Sequence, residues 1–593
     1  MAKWLLKNKK ADFKKMSETL HISEIIARIL VNREINTKAK CKSFLNPDIS
    51  ELGNILKMKG VKEAFEILES ARQGNGGKIV IYGDYDVDGV MSTVILLKGL
   101  KALGFTTVDY YIPHRMTEGY GLNVDAIKNI KENYDADILI ACDNGISATK
   151  ELDFAKEVGL KTIIIDHHEP TIVEDKEVIL SANAVIDPKQ HDCEYPFKLM
   201  CAGGLSYRFI CGLHEFLEKN ISQKLHNELL IFAGIATVCD IVDLQAENRI
   251  IVRYAVNLLN NSGHENLNLG LKTLLKLKSY HNRHIGEFAI GYMIGPCINA
   301  SGRLEHAKLA VELFLTEDEG IAHSCAELMS SLNDERKEIT RAAFERLTEK
   351  VDQEALEKVI VIYDKEIHES IAGIVAGRLK EKFYRPTIVI SKGEDFAKGS
   401  ARSIEGYNIF EEFSKNRELF VRFGGHPMAA GLSIEEKSID VLRKRLNETC
   451  TLEGDDFLET IKIDSALNLE DVTFSLVSNL EILRPYGKGN REPIFGSKNL
   501  QVSDIKIISE KDTVIFTFEA DNYRKIKGIC FGKLDKFKKM VNNNFDEYDA
   551  QKILGGVLRN INFNIDIVYF LEINDYNNSV SVQMNIKDFR MCI

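Results

Sequence analysis

The chain has 593 residues, of which 45 % are hydrophobic and 28 % charged, with a formal net charge of −11 and eleven cysteines. That length exceeds what one hydrophobic core supports and predicts three or four domains of ordinary soluble, globular composition. No apolar stretch reaches the ~18 residues of a membrane span, no long apolar segment near the N-terminus signals secretion, and the absence of any Cys-x-x-Cys pair excludes a zinc ribbon and a disulfide scaffold. A cytoplasmic protein with reduced thiols is expected. The acidic balance does not advertise a nucleic-acid binder, but local charge decides that question, and residues 1–15 carry six lysines against one aspartate.

Residues 1–55 read as a mostly helical N-terminal extension. From 56 to 316, short β-branched runs alternate with amphipathic stretches such as 92–103 and 148–158. Three runs break off at carboxylates: Ile79-Val80-Ile81-Tyr82-Gly83-Asp84-Tyr85-Asp86-Val87-Asp88-Gly89, Ile138-Leu139-Ile140-Ala141-Cys142-Asp143-Asn144-Gly145 and Thr162-Ile163-Ile164-Ile165-Asp166-His167-His168. Such runs read as buried strands of a doubly wound parallel sheet. Ligands of these sheets sit beyond the carboxyl ends of the strands, so the three acidic tips are expected to converge on one edge. A further run, Ala184-Val185-Ile186-Asp187-Pro188, also ends in an acid. Residues 317–355, rich in Glu, Lys, Arg, Leu and Ala, predict a long connecting helix. A second α/β unit over 356–452 opens with Lys358-Val359-Ile360-Val361-Ile362-Tyr363. Over 453–593, Thr513-Val514-Ile515-Phe516-Thr517-Phe518 alternates, and two runs flank an Asn-rich turn at 574–578, as in a β-hairpin of a small all-β, OB-like barrel. The predicted class is thus multidomain α/β with a C-terminal barrel.

The first tip superficially fits the start of a calcium EF-hand loop. Ile95 stands where that loop needs a bidentate Glu, and a strand precedes it, so that reading is excluded. A single strand-end aspartate often only caps the next helix. Three within five residues repel one another unless cations are present. Mixed carboxylate and imidazole donors suit manganese or magnesium, and two such ions roughly 3.5–4 Å apart activate water and clamp a phosphoryl group.

These residues resemble the DHH phosphoesterase superfamily, whose naming motif is Asp166-His167-His168. The form of the first tip is similar to the RecJ branch, the single-stranded-DNA-specific exonucleases. Further segments agree: Ile112-Pro113-His114-Arg115 with Glu118-Gly119-Tyr120-Gly121-Leu122, Thr237-Val238-Cys239-Asp240, and Ile298-Asn299-Ala300-Ser301-Gly302-Arg303-Leu304. Gly399-Ser400-Ala401-Arg402-Ser403 and Phe423-Gly424-Gly425-His426-Pro427 resemble motifs of the DHH-associated domain. Leu483-Arg484-Pro485-Tyr486-Gly487-Lys488 resembles a RecJ barrel segment.

The resemblance implies a metal shell of Asp84, Asp86, Asp88, Asp143, His167 and Asp240, with Asp143 serving both ions. It implies that Asp166 orients a histidine and that His168 faces the substrate phosphate. Arg115, Arg303, Ser400, Arg402, Gly424, Gly425 and His426 become candidates for phosphate contacts, since arginine forks and backbone donors suit phosphate oxygens. Phe516, Phe518, Tyr523 and Phe531 either stack on bases or fill the barrel core. The implied activity is 5′→3′ hydrolysis of single-stranded DNA in repair and recombination with two Mn2+ or Mg2+ ions, with a helicase and a single-strand-binding protein as candidate partners. Two alternatives stand beside it: a phosphodiesterase acting on nano-RNA or cyclic dinucleotides, and a catalytically inactive DNA-binding protein of the replisome.

Overall fold

Five parallel strands form the first sheet, in the order Val108–Tyr111, Ile79–Tyr82, Ile138–Cys142, Lys161–Ile165, Ala184–Ile186. Every residue of Ile79–Tyr82 and Ile138–Cys142 is buried, which is why these runs are continuously apolar rather than alternating. Helix Val87–Ala102 is buried almost all round and correspondingly apolar. The chain leaves Ile79–Tyr82 for one neighbour and returns to pair on its other side with Ile138–Cys142. The strand order therefore reverses between these two, and a crevice opens beyond their carboxyl ends. Asp84 and Asp143 follow those two ends.

The computed structural model of the chain describes residues 2–74, 77–261, 263–352, 355–520, 524–576 and 579–592. Contacts divide it into two units: Asp48–Phe457, and Met1–Pro47 together with Leu458–Ile593. In the first unit, helix Glu319–Glu349 has 31 residues, about 46 Å at the helical rise. Its first half, with Ala322, Ala326 and Met329, packs into the core of the first sheet, and Ala343 and Leu347 pack into a second core. The second sheet runs Phe420–His426, Ala429–Ile434, Ala397–Arg402, Thr387–Ser391, Ile360–Asp364, with only the last pair parallel.

In the other unit, strands Phe495–Ile508, Thr513–Glu519, Lys525–Phe531, Ser579–Met591 and Asn564–Tyr576 pair in that order, and the last pairs back onto the first. The ring is a closed five-stranded barrel. Helices Leu534–Asn544 and Glu547–Leu554 interrupt the strands, and Phe537, Val541 and Ile553 bury into the barrel core. The expected hairpin forms with Ile573 opposite Val582; residues 577 and 578 of its turn lie outside the described residues. Strand Lys3–Leu6 pairs in parallel with Thr460–Ile463. Helix Glu24–Asn32 buries Ile26, Ile29 and Leu30 in the same core as the barrel. All eleven cysteines are free thiols. Among the described residues, no helix is long and apolar enough to cross a membrane.

Candidate metal centre and phosphate pocket

Each acidic tip is positioned by the strand before it and the helix after it. Asp86 caps helix Val87–Ala102, its Oδ1 accepting from the N–H groups of Asp88 and Gly89 at 2.9 and 3.2 Å. Capping and membership of the acidic cluster are thus combined in one residue. Both oxygens of Asp88 accept backbone N–H groups at the start of helix Ala202–Phe216, from Gly203 at 2.7 Å and Ala202 at 2.8 Å. Gly89 permits this packing, because a Cβ there would lie 2.5 Å from the Asp84 nitrogen. Asp143 takes φ = +64°, a left-handed turn that aspartate tolerates. Asp240 ends helix Gln223–Cys239. His167 Nε2 lies 3.3 Å from Asp143, 3.6 Å from Asp88 and 3.7 Å from Asp240. Three donor sets result, each within 4.8 Å: Asp84, Asp86 and Asp143; Asp88, His167 and Asp240; Asp143, His167 and His168. The six residues expected as metal ligands are brought together, and Asp143 is common to two sets.

The donor chemistry fits hard divalent cations. His167 Nε2 and Asp84 Oδ1 are buried with no hydrogen-bond partner among the described residues, a condition that costs about 1–3 kcal/mol per group. Burial, then the neighbouring carboxylates of Asp88, Asp86, Asp84 and Asp240, pushes Asp143 well above the usual carboxylate range. Burial and Asp86 do the same to Asp84, and they raise Asp88 to about 6. Asp240 is pushed up to about 9 by burial and Asp88. Burial, with His168 beside it, lowers His167 to about 3, leaving the neutral imidazole that a metal requires. Carboxylates plus a neutral imidazole are the donors manganese and magnesium accept.

Asp166 is saturated by donors. Its Oδ1 accepts from His167 N–H at 2.7 Å, His168 N–H at 3.2 Å and the His168 ring at 2.7 Å, and its Oδ2 accepts from Ile146 N–H at 2.9 Å. Burial opposes its charge, but the hydrogen bond and charge of His168 hold it down at about 2. Against burial, the same pair lifts His168 to about 9. Asp166 thus orients His168 rather than His167, and His168 stands partly exposed and cationic beside the acidic cluster. Two residues quoted in the sequence motifs without a role join it. The Tyr120 hydroxyl donates to the Asp143 carbonyl at 3.1 Å and lies 3.3 Å from His168, carried there between Gly119 and Gly121 at φ +81° and +85°. Asp187, at the end of strand Ala184–Ile186, is fully buried with one oxygen unpartnered, and burial pushes it up to about 8.

Beside the first tip lies a cavity of about 390 Å³ lined by Arg115, Arg303, Ser400 and Arg402, with Arg378 and Ser370. Arg115 stacks over Tyr85 at 4.9 Å, and Arg303 donates to the Ser370 carbonyl at 2.6 Å. Burial, then the Arg115 and Arg336 guanidiniums, lowers Arg303 to about 10. Crowded guanidiniums in a partly buried pocket are relieved by an anion, and their forks match phosphate oxygens. A Cβ on Gly373 would lie 2.9 Å from the Arg402 guanidinium. Gly424, Gly425 and His426 do not line this cavity. They are exposed on the edge strand of the second sheet, where Ser400, Gly431 and Gly424 form one row of partners and Arg402, Ala429 and His426 the next. A Cβ on Gly424 or Gly431 meets nothing within 4 Å, so the face carrying Ser400 and Arg402 continues as an open shelf. Gly425, at φ +147°, needs glycine because a Cβ would lie 2.4 Å from the Ala429 carbonyl. In the barrel, Phe516 and Phe518 are core, Phe531 is exposed, and Tyr523 lies outside the described residues.

Three family models match the chain: the DHH family N-terminal domain over residues 78–237, the DHHA1 domain over 356–452 and the RecJ OB domain over 463–588. A single-stranded-DNA-specific exonuclease RecJ of Bacillus subtilis strain 168 is 34 % identical over 97 % of this chain and 69 % of its own length. RecJ of Thermus thermophilus, crystallised with Mn2+, has the same fold, with a TM-score of 0.81 and 23 % identity over 100 % of this chain and 80 % of that one. A crystal structure of an exonuclease RecJ bound to manganese is 30 % identical over 68 % of this chain and 98 % of that one, with a TM-score of 0.57. The chain belongs to the RecJ family of the DHH phosphoesterases.

Proposed function

We propose that this protein is a single-stranded-DNA-specific exonuclease that hydrolyses phosphodiester bonds from the 5′ end, in repair and recombination. The observation that carries the reading is the adjacency, in one unit, of a carboxylate–imidazole cluster with bare buried donors and an arginine-lined cavity. Asp84, Asp86, Asp88, Asp143, His167 and Asp240 would hold two Mn2+ or Mg2+ ions. Bound there, the ions would supply Lewis acidity and an activated water for in-line displacement at phosphorus.

The protein's own groups do the rest. His168, kept cationic by Asp166, meets the charge that builds on the scissile phosphate. Arg115, Arg303, Ser400 and Arg402 take the terminal phosphate, which sets the number of nucleotides removed and the polarity. The shelf of Gly424 and Gly425, ending in His426, gives the backbone a close approach. The barrel adds sequence-independent contacts along the strand. A helicase that frees single strands and a protein that coats them are the natural partners, in the cytoplasm. The deciding assay offers the manganese-loaded protein 5′- and 3′-end-labelled single strands, a duplex and a cyclic dinucleotide. The reading requires degradation of the single strands with release of the 5′ label first; hydrolysis of the cyclic dinucleotide alone would overturn it.

A further inference from the structure

One helical run carries two features of the site and a third that the proposed activity has not used. It comprises helix Glu287–Ala289, a π turn Ile290–Ile294 and helix Gly295–Leu304. At its far end, Arg303 enters the phosphate cavity, and a Cβ on Gly302 would lie 2.2 Å from the Tyr85 carbonyl in the first acidic tip. Along its π turn it lies against the helix that ends at Asp240. Cys239 Sγ is 3.7 Å from the Ile290 carbonyl, and a Cβ on Gly291 would sit 3.6 Å from Val238. At its near end are Phe288 and Tyr292, whose rings stack with centroids 4.7 Å apart and planes at 23°. They are 66 % and 73 % exposed, unlike the pairs Phe65–Phe209 and Phe232–Phe314, which are core. Nothing in packing accounts for two large aromatic rings presented to water. π turns recur at functional sites because they re-aim side chains.

Two surroundings say what covers the pair. Ile241, the residue after Asp240, is 66 % exposed and held at φ +58°, a conformation that β-branched residues avoid. An apolar surface therefore borders the last metal-site carboxylate. Residues 272–286, which precede Glu287 and the pair in the chain, contain Lys272, Lys276 and Arg283, with Lys278 paired to Asp334 at 3.6 Å, and no Asp or Glu, in a chain of net charge −11. Stacked aromatic faces with basic residues close by in the chain are a combination that binds single-stranded nucleic acid without reading its sequence.

We propose that Phe288 and Tyr292 form a stacking platform for a nucleobase of the strand held at the carboxylate–imidazole cluster; this rests on the nuclease reading above. From Tyr292 to Arg303 the run extends about 16 Å at 1.5 Å per residue. A strand with its terminal phosphate on Arg303 and a scissile bond beside Asp240 would meet the platform next, on the part of the strand that is retained.

The test uses the full chain with manganese and two substrates, a thymidine 20-mer and a thymidine dinucleotide, each with a 5′-phosphate. Replacing both residues with alanine should lower kcat/KM on the 20-mer about tenfold more than on the dinucleotide, within the range for one lost base stack, mainly through KM. The aromatic exchange Phe288→Tyr with Tyr292→Phe should behave as the parent, and the paired Phe288→Leu and Tyr292→Leu as the alanine variant. A 2-aminopurine placed in the retained part of the strand should be quenched on binding the parent and not the alanine variant. Equal loss on both substrates, leucine variants as good as the parent, or unchanged quenching would overturn the platform. Unchanged kinetics with altered sedimentation would instead assign the patch to a protein contact. Were the parent to hydrolyse neither substrate, the nuclease reading would fall while the quenching comparison still decided the platform.

Discussion

The two sheets of the larger unit contain nearly the same stretch of sequence with opposite consequences. Ile79-Val80-Ile81-Tyr82-Gly83-Asp84 ends the switch-point strand of the first sheet, and Ile360-Val361-Ile362-Tyr363-Asp364 ends the edge strand of the second. Asp364 accepts from Lys350 at 2.7 Å, Arg346 at 3.0 Å and the N–H groups of Glu366 and Ile367. Burial opposes its charge, but these cations hold it down at about 2. Asp84 has one bare oxygen, other carboxylates for neighbours, and a proton affinity driven up by burial. A strand-end aspartate completed by its own protein is structural; one left unsatisfied among others of its kind is open to a cation from outside.

Removing one member of each set should separate the two sheets most sharply. Asp143→Ala is expected to lower hydrolysis by at least about 10²–10³-fold, the scale of one lost preorganised electrostatic group. Calorimetry with manganese should show every binding event weakened, while the metal-free protein melts no lower than the parent, because a repelling charge is gone. A metal-free variant that melts well below the parent would make Asp143 structural. The metal-free parent should also respond to pH in one direction. Carboxylates whose folded pKa is raised disfavour folding increasingly as pH climbs above their ordinary 3.8, through about 6 for Asp88 and towards about 9 for Asp240. Melting under chelator should therefore fall over that window, and manganese should reverse the trend.

The unit boundary offers the next contrast. A cut that leaves residues 48–457 removes the barrel together with the 47 residues that share its core. The remainder should bind manganese and cleave very short oligonucleotides. On long strands it should lose roughly tenfold or more at low salt, with the gap narrowing as salt rises, because a protein that contacts fewer phosphates has the shallower salt dependence. Digestion of long strands equal to the full chain across a salt series would contradict this. A cut near Asp455 alone should aggregate, since it strands Ile26, Ile29 and Leu30 without the surface that buries them.

Within the phosphate cavity, Arg402→Ala should erase about 10–100-fold of any preference for a 5′-phosphate over a 5′-hydroxyl, the worth of a charged hydrogen bond, without changing manganese content. The smallest effect belongs to the second sheet. Asp364→Asn should cost about 1–3 kcal/mol of stability and leave metal binding and turnover per folded molecule intact. The parent's advantage over this variant should hold above pH 3.8 and disappear as pH falls through about 2, because a depressed carboxylate pKa stabilises only while the group is ionised. Titrating melting temperature against pH for both proteins reads this directly.

Much of the site was legible from local pattern. The three acidic tips, the long helix and the terminal hairpin follow from periodicity and from where β-branched runs stop. The resemblance of motifs extended this to His167, Asp240 and the arginines, which no periodicity marks. Pattern could not tell that Asp166 serves His168, that Tyr120 reaches over the cluster, or that Phe516 and Phe518 are core while Phe288 and Tyr292 face water. Each of these depends on which face of an element meets another, and an aromatic residue looks the same in sequence whether its neighbour is a core or solvent.

The sequence by itself determined the strands, their acidic ends and the kind of cation they attract, because those follow from residues adjacent in the chain. Only the tertiary structure decided which aspartates stay unpaired. Asp364 and Asp84 differ through Arg346 and Lys350, delivered by the long helix to one sheet and not to the other. It also decided that the first 47 residues complete the barrel's core, through the parallel pairing of Lys3–Leu6 with Thr460–Ile463 and the bond from the Trp4 indole to Asp588 at 3.0 Å. Hydrogen bonds and ion pairs across hundreds of residues have no local signature, because the backbone geometry that sets them is fixed only when the cores close.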